Sequence, residues 1–204
     1  MQANVSTIEI SIVIPAFNEG EIIGVVVSRI REVLAAYGQP YEIIVVDDGS
    51  TDETAARAMA AGAEVHRHPY NIGNGAAVKS GIRRARGKYL ILMDGDGQHD
   101  PTDIPRFIAK LGTYDMVVGA RSANSHRNAH RTFANSIFNG LATYICNRRI
   151  EDLTSGYRAI RTAIARRFLY LLPNTFSYPT TITMAIVRAG HSLTYLPIDT
   201  KART

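Results

Sequence analysis

A single cysteine, Cys146, is all the thiol this 204-residue sequence holds. An internal disulfide is therefore impossible, no metal site can be built from cysteines, and a reducing compartment suits the chain. No apolar run approaches the roughly 18 residues that a membrane span needs. The opening stretch MQANVSTIEI has no basic region followed by an apolar core, so it does not read as a secretory signal. These absences predict a cytoplasmic chain that does not span a membrane. Two nucleotide signatures are missing as well. The first strand-like run leads into Pro-Ala-Phe-Asn-Glu at 15–19 rather than G-x-G-x-x-G, which argues against a dinucleotide-binding fold. The glycine-rich stretch NIGNGAAVKSG at 71–81 lacks the spacing of a P-loop. Hydride transfer and P-loop phosphate chemistry both drop out. Nucleic acid is a poor partner too, because the basic residues are not interleaved with an aromatic array.

What remains is a composition of 46% hydrophobic and 20% charged residues, ordinary for a globular protein. The length suits one domain, 1–204, with a substantial core. The net charge of +5 conceals an asymmetry. Residues 1–100 hold 9 Lys/Arg against 13 Asp/Glu, a net of −4, whereas residues 101–204 hold 14 against 5, a net of +9. Most of these charges are solvated surface. Even so, an acidic half suited to a cation adjoins an arginine-rich half suited to phosphates.

Strand-like runs at 8–15, 41–47, 63–67, 88–94 and 114–120 alternate with helix-like stretches at 21–37, 51–61, 73–86 and 101–111. Ser50 and Glu53 have the spacing of a capping box for the second helix. Continuously apolar strands alternating with helices predict a mostly parallel sheet covered on both faces, a three-layer α/β domain. Ligands of such sheets bind beyond the carboxyl ends of the strands. There the sequence reads PAFNE (15–19), DDGSTDE (47–53) and DGDGQHD (94–100). Any one of these loops could be mere turn and cap chemistry; three in succession, all with carboxylates, point to a site. From 121 to 150 the chain is basic and polar. It contains one helical stripe, Phe133, Ile137, Leu141 and Ile145 with Phe138, which the spacing predicts to pack on the core. Flanked by Arg127, Arg131, Arg148 and Arg149, the same stripe would also suit an anionic lipid surface.

Asp94 and Asp96 stand one residue apart just past an apolar strand, so in extended chain their side chains share a face. Two such carboxylates repel unless a proton or cation intervenes. Magnesium binds through one or two carboxylates plus substrate phosphates, so D-x-D here predicts a metal–diphosphate site with Gln98 as a further oxygen ligand. An EF-hand is excluded, because its glycine would stand at the sixth loop position and Gly97 stands at the fourth. A paired-carboxylate hydrolase is the weaker reading, since nothing in the sequence sets the two acids apart.

Four ordered motifs, SIVIPAFNE, IIVVDDGSTD, NIGNGAAVKSGIRRARGKYLILMDGDGQHDP and DLTSGYRAI, together resemble the family-two glycosyltransferases of GT-A fold. The nearest branch resembles the dolichol-phosphate mannose synthase and polyprenyl-phosphate glycosyltransferase group. The resemblance implies a nucleotide-binding half (1–120) and an acceptor-binding half (121–204). It implies Mg²⁺ or Mn²⁺ as cofactor, a UDP- or GDP-linked sugar as donor and a dolichyl- or undecaprenyl-type phosphate as acceptor, met at the cytoplasmic membrane face. Carried onto this sequence, Pro15, Phe17, Glu19, Asp47, Asp48, Asp94, Gly95 and Arg121 fall on the nucleotide-sugar side, with Phe17 replacing a frequent tyrosine. Asp94, Asp96 and Gln98 fall on the metal motif. Arg131, Ser155, Arg158 and Arg203 fall on the acceptor-phosphate side, and Asp152, with Asp96, is the catalytic candidate. Related sequences often place a glutamate in the region 176–190, where this chain has threonines. Transfer to a saccharide or protein hydroxyl, which would require a base, is the first alternative. A sugar nucleotidyltransferase would need a glycine- and lysine-rich loop after the first strand, and a non-catalytic module would bind donor without turnover.

Overall fold

The computed structural model describes residues 7–121, 140, 142–144 and 149–200. Its centre is β1 (Ile10–Ala16), buried along its whole length. The strand pairs in parallel with β2 (Tyr41–Asp47) on one edge and with β4 (Tyr89–Leu92) on the other. Ile10, Ile12 and Ile14 face one way, among Val26, Ile30 and Leu34 of α1 (Ile23–Tyr37) and Phe107 of α4 (Ile104–Leu111). Val13 faces the other way, among Val78 and Ile82 of α3 (Asn74–Arg84) and Ile182 and Ile186 of α6 (Tyr178–Arg188). A strand enclosed on both faces favours apolar side chains throughout, and the one polar residue of ISIVIPA, Ser11, donates its hydroxyl to Glu42 Oε1 at 2.5 Å.

The sheet has seven strands in the order β3-β2-β1-β4-β6-β5-β7. β3 (Glu64–Arg67) extends it beyond β2 in parallel. β5 (Met116–Arg121) and β7 (Leu193–Ile198) pair in parallel at the far edge. β6 (Arg158–Arg161) lies antiparallel between β4 and β5. The remaining helices, α2 (Thr54–Ala60) and α5 (Thr162–Arg167), contribute Ala58 and Ala165 to opposite core layers. This mixed, mostly parallel three-layer arrangement is the α/β architecture the sequence predicts.

The differences are local and have physical causes. The expected capping box does not form: α2 starts at Thr54, its N-cap is Glu53, and the Glu53 side chain makes no cap hydrogen bond. Ser50 is drawn into the core instead, where its Oγ accepts the Asn18 N–H at 2.9 Å, and Glu53 pairs with Arg57 at 2.7 Å. Asp52 takes over the local role, accepting the Thr54 N–H at 3.0 Å. β4 ends at Leu92 rather than Asp94, so Asp94–Gln98 forms a turn with Gly97 at φ +74° and not extended chain. Asp100 accepts the Thr102 N–H at 3.0 Å, capping the 3₁₀ turn Pro101–Asp103 that leads into α4. The stripe Phe133, Ile137, Phe138, Leu141 and Ile145 lies outside the described residues, as do Arg127, Arg131, Arg148 and Arg203.

Gly81 shows how tightly α3 sits on the sheet, since a Cβ there would lie 2.2 Å from Val13 Cγ1. Overpacking of this kind costs about 1–3 kcal/mol. Gly81→Ala is expected to lose that much stability in urea unfolding with an unchanged m-value. Adding Val13→Ala is expected to make the double variant less destabilised than the two single losses combined.

Candidate active site

The three polar loops of the sequence meet along the carboxyl edge of the sheet. The first two are tied together backbone to side chain. Asn18, at φ +54°, accepts the Thr51 N–H on its Oδ1 at 2.9 Å. The Glu19 N–H donates to Thr54 Oγ1 and the Gly20 N–H to Asp52 Oδ2, each at 2.9 Å. These bonds set the start of α1 and leave Phe17 43% exposed above the strand ends.

Asp47 and Asp48 complete β2 and its turn, and both are enclosed. The Asp47 side chain is fully buried, with Oδ1 accepting the Ser50 N–H at 2.9 Å and Oδ2 lying 3.1 Å from Arg67 Nε. This burial sets Asp47, expected on the nucleotide side, beneath the turn that carries Asp48. Asp48 is 3% exposed. Its Oδ1 faces His68 Nδ1 at 2.7 Å and accepts the Ile72 N–H at 3.1 Å, and its Oδ2 accepts the Gly73 N–H at 2.7 Å. Between the two loops a Cβ on Gly49 (φ +78°) would lie 2.5 Å from the Tyr70 carbonyl carbon. Only glycine permits that approach.

Past β4, Asp96 Oδ1 accepts the Gln98 N–H at 3.1 Å, and Asp94 Oδ2 lies 3.4 Å from Nε2 of the buried His99. The His99 ring stacks on Tyr157, centroids 4.8 Å apart. Gly95 is buried, where a Cβ would lie 3.2 Å from Ile23 Cδ1. A Cβ on Gly156 would fall 2.5 Å from Asp94 Oδ2, so the D-x-x-S-G segment of the second half lies directly against the acid of the first. Burial pushes the Asp94 carboxyl upward. The His99 hydrogen bond and charge, with the Arg158 and Arg121 charges, outweigh it and hold the group below the usual carboxylate range.

Arg121, the last residue of β5, grips Asp152 with Nε and Nη2 at 2.8 and 2.9 Å, and Nη2 also donates to Thr154 Oγ1 at 2.7 Å. Asp152 Oδ1 further accepts the Thr154 and Ser155 N–H groups at 3.2 and 3.1 Å. Burial alone would raise the Asp152 carboxyl; the Arg121 hydrogen bonds and charge reverse this and lower it. Ser155 is 1% exposed, and its Oγ has no hydrogen-bond partner among the described residues.

Arg158 needs a correction. Expected on the acceptor phosphate, it is fully buried. Its guanidinium donates to the Ser155 carbonyl from Nε at 3.1 Å and also from Nη2, and from Nη1 to the Pro179 carbonyl at 2.9 Å and Thr183 Oγ1 at 3.0 Å. It clamps the D-x-x-S-G turn onto α6, and its charge reaches Asp94 from below. Among the threonines of residues 176–190, Thr183 completes this clamp.

Among the described residues, no group of three or more acidic, histidine or cysteine side chains forms a metal cage. The donor set at Asp94, Asp96 and Gln98 fits a hard cation that takes its other ligands from phosphate and water, and it does not suit one held by protein alone. Sequence reasoning missed His68 and Arg67 and gave His99 no role, although all three stand against the acids. Two of them stand at the end of β3, where the rule about strand ends already pointed; only the glycines of that loop attract attention in the sequence.

A seven-stranded α/β sheet whose carboxyl edge gathers carboxylates beside arginines is a GT-A type domain. Residues 11–169 match the glycosyl transferase family 2, and the chain belongs to that family. It is 33% identical over 171 residues to the dodecaprenyl-phosphate galacturonate synthase of Rhizobium johnstonii, covering 80% of this chain and 51% of that protein. It is 32% identical over 187 residues to the undecaprenyl-phosphate 4-deoxy-4-formamido-L-arabinose transferase of Photorhabdus laumondii, covering 84% and 58%. The chain thus spans little more than half the length of these relatives. Among solved structures it superposes on glucosyl-3-phosphoglycerate synthase from Mycobacterium tuberculosis with a TM-score of 0.77 at 21% identity, covering 96% of this chain and 72% of that one. Another structure of that synthase, in complex with Mn²⁺, UDP and phosphoglyceric acid, gives the same TM-score at 22% identity, covering 96% and 70%.

The Arg121 clamp makes a pH signature. A carboxyl lowered in the folded state adds stability that is complete above its ordinary value of about 3.9 and is lost as pH falls through the folded value. The Asp152 carboxyl is therefore expected to titrate below that value in carbon-13 NMR. In Arg121→Gln only the Thr154 and Ser155 N–H groups still oppose burial, so the Asp152 midpoint is expected to rise above that of the parent, and the loss of stability that this group contributes on acidification is expected to shrink.

Proposed function

We propose that this domain is a metal-dependent, inverting glycosyltransferase that moves a sugar from a UDP- or GDP-linked donor to a polyprenyl phosphate. The observation that supports this acceptor over a hydroxyl is the state of Asp152. A hydroxyl must lose a proton as it attacks, and an efficient base for that has a pKa raised toward the working pH. Asp152 is lowered instead, its carboxylate saturated by Arg121 and two backbone N–H groups. A phosphate acceptor is already ionised and needs no base. Its difficulty is repulsion from the donor diphosphate, which arginines relieve. The relatives named for dodecaprenyl- and undecaprenyl-phosphate products or acceptors agree with this reading.

In this reading the roles divide by loop. Pro15, Phe17 and Glu19 border the base and ribose, and Asp48 accepts an N–H of the base. Asp94, Asp96 and Gln98 hold Mg²⁺ or Mn²⁺, which when bound neutralises charge on the departing diphosphate. Gly95 brings the turn close to Pro15. Arg121 stands where it meets the diphosphate while keeping Asp152 ionised. Asp152 in turn orients the acceptor side through the turn that carries Ser155. Arg131 and Arg203, outside the described residues, are the proposed acceptor-phosphate ligands, with Arg158 supporting from beneath. Attack by a phosphate oxygen on the sugar face opposite the diphosphate inverts the anomeric centre in one displacement. Contact with the lipid acceptor is proposed as peripheral, at the cytoplasmic face; no helix among the described residues is long and apolar enough to cross a membrane.

The test is incubation with Mn²⁺ or Mg²⁺, UDP-, GDP- and dTDP-sugars and a short polyprenyl phosphate, followed by mass spectrometry of the lipid. A sugar-phosphate-lipid product is expected with one donor; transfer only to hydroxyl acceptors would overturn the acceptor assignment. Asp96→Asn is expected to cut metal-dependent turnover by about 10²–10³-fold, the scale of losing one electrostatic transition-state contact, while the unfolding midpoint stays near that of the parent.

A further inference from the structure

His68 has no part in the roles assigned above, yet it is among the most enclosed ionisable groups at the sheet edge, with 7% of its side chain exposed. It follows directly on β3, and its backbone N–H donates to the Asp47 carbonyl at 2.8 Å, carrying the β2–β3 ladder one residue further. That bond sets the ring beside Asp48. Nδ1 stands 2.7 Å from Asp48 Oδ1 and Nε2 stands 2.9 Å from Oγ of Ser80 on α3. The His66 ring meets it edge-on, centroids 5.5 Å apart. A chain Ser80–His68–Asp48 therefore runs from the α3 layer to the site. The lone pairs of Asp48 give the chain a purpose. An ionised carboxylate offers about four acceptor directions. His68 and the Ile72 N–H occupy Oδ1, and the Gly73 N–H occupies one direction on Oδ2. One direction on Oδ2 is left.

We infer that His68, itself fixed by Ser80, is a positioning residue that aims this remaining Asp48 acceptor at the donor base. The inference rests on the reading of Asp48 as the base-contacting acid. With Asp48 ionised, Nδ1 bears the proton and donates it. A histidine held at both ring nitrogens cannot rotate, so the carboxylate it grips cannot rotate either. Without that grip the carboxylate is held only by the two backbone N–H groups of the 72–73 segment, and it turns with that loop. His68 touches neither sugar nor diphosphate, so its effect falls on donor binding and leaves the transfer step alone.

The experiment is calorimetric binding of UDP and of GDP, each with Mn²⁺, to the parent and to His68→Ala, His68→Asn and Ser80→Ala, with KM and kcat for the matching nucleotide sugar. Asparagine keeps an N–H where Nδ1 stands but does not reach Ser80. Expected are a rise in Kd and in donor KM of tenfold or more for His68→Ala with kcat within twofold, recovery to within about threefold in His68→Asn, and an intermediate loss in Ser80→Ala. A purely structural histidine would make alanine and asparagine variants equally poor, or would lower kcat and the unfolding midpoint together with affinity; either result overturns the inference. Unaltered nucleotide affinity in His68→Ala overturns it while leaving the proposed transferase reading intact. A parent that binds neither nucleotide with Mn²⁺ overturns both.

Discussion

A carboxylate can remain ionised away from water only if N–H groups or cations surround it, and the carboxyl edge of this sheet is built around that requirement. Asp47, Asp48 and Asp152 are each almost sealed, and each has its own partners: the Arg67 charge with the Ser50 N–H, His68 with the 72–73 backbone, and Arg121 with the 154–155 backbone. Asp94, 37% exposed at the side chain, is supported by His99 and by the more distant charges of Arg158 and Arg121. The loops take their shapes from satisfying these acids. Three consecutive connections, after β1, β2 and β3, converge because the side chains of Asp48, Asp52 and Ser50 accept backbone N–H groups from neighbouring segments or from their own.

The second requirement is that the basic half of the chain be brought to the acidic half. Strand β6 and the turn before it accomplish this. β6 inserts antiparallel between β4 and β5, which places the preceding turn, Asp152–Gly156, against Asp94. Gly156 allows the contact because any side chain there would displace the acid. Arg158 then anchors the turn from below by spending its guanidinium on Ser155, Pro179 and Thr183. A buried guanidinium without these acceptors would be costly, so the position of α6 and the position of the turn depend on one another.

How much of this is legible in the sequence follows from what each element must bury. β1 and β2, apolar on both faces, are read to within two residues. β6 is not read at all: RAIR has arginines at both ends, and nothing in a pattern reveals that Arg158 is inside and Arg161 is not. β7 contains Pro197, which suits an edge strand but hides it. The acids of the site are visible because carboxylates at strand ends have few structural excuses. Their partners are not, because a histidine or arginine in a loop reads the same whether it is solvated or braced against a buried acid. The supposed capping box fails for a related reason. Ser50 and Glu53 have the right spacing, but Ser50 is claimed by Asn18, thirty-two residues away, and tertiary demand overrides a local rule.

The pairing of Arg121 with Asp152 also explains why so many arginines accompany a site with so much acid. The proposed transfer between two anions would need positive charge at the moment of reaction, yet unpaired arginines facing one another would repel. Asp152 resolves the conflict by giving Arg121 a counter-ion with fixed geometry, held in turn by the backbone of its own turn. Arg121 retains 23% exposure in this pairing, so the guanidinium keeps a face toward the cleft while its orientation is set from behind. Arg67 stands on Asp47 and His68 on Asp48 in the same way, one partner fixing the other. In the proposed reading, pairs of this kind would preorganise the site, because the member behind holds the one in front before a ligand arrives.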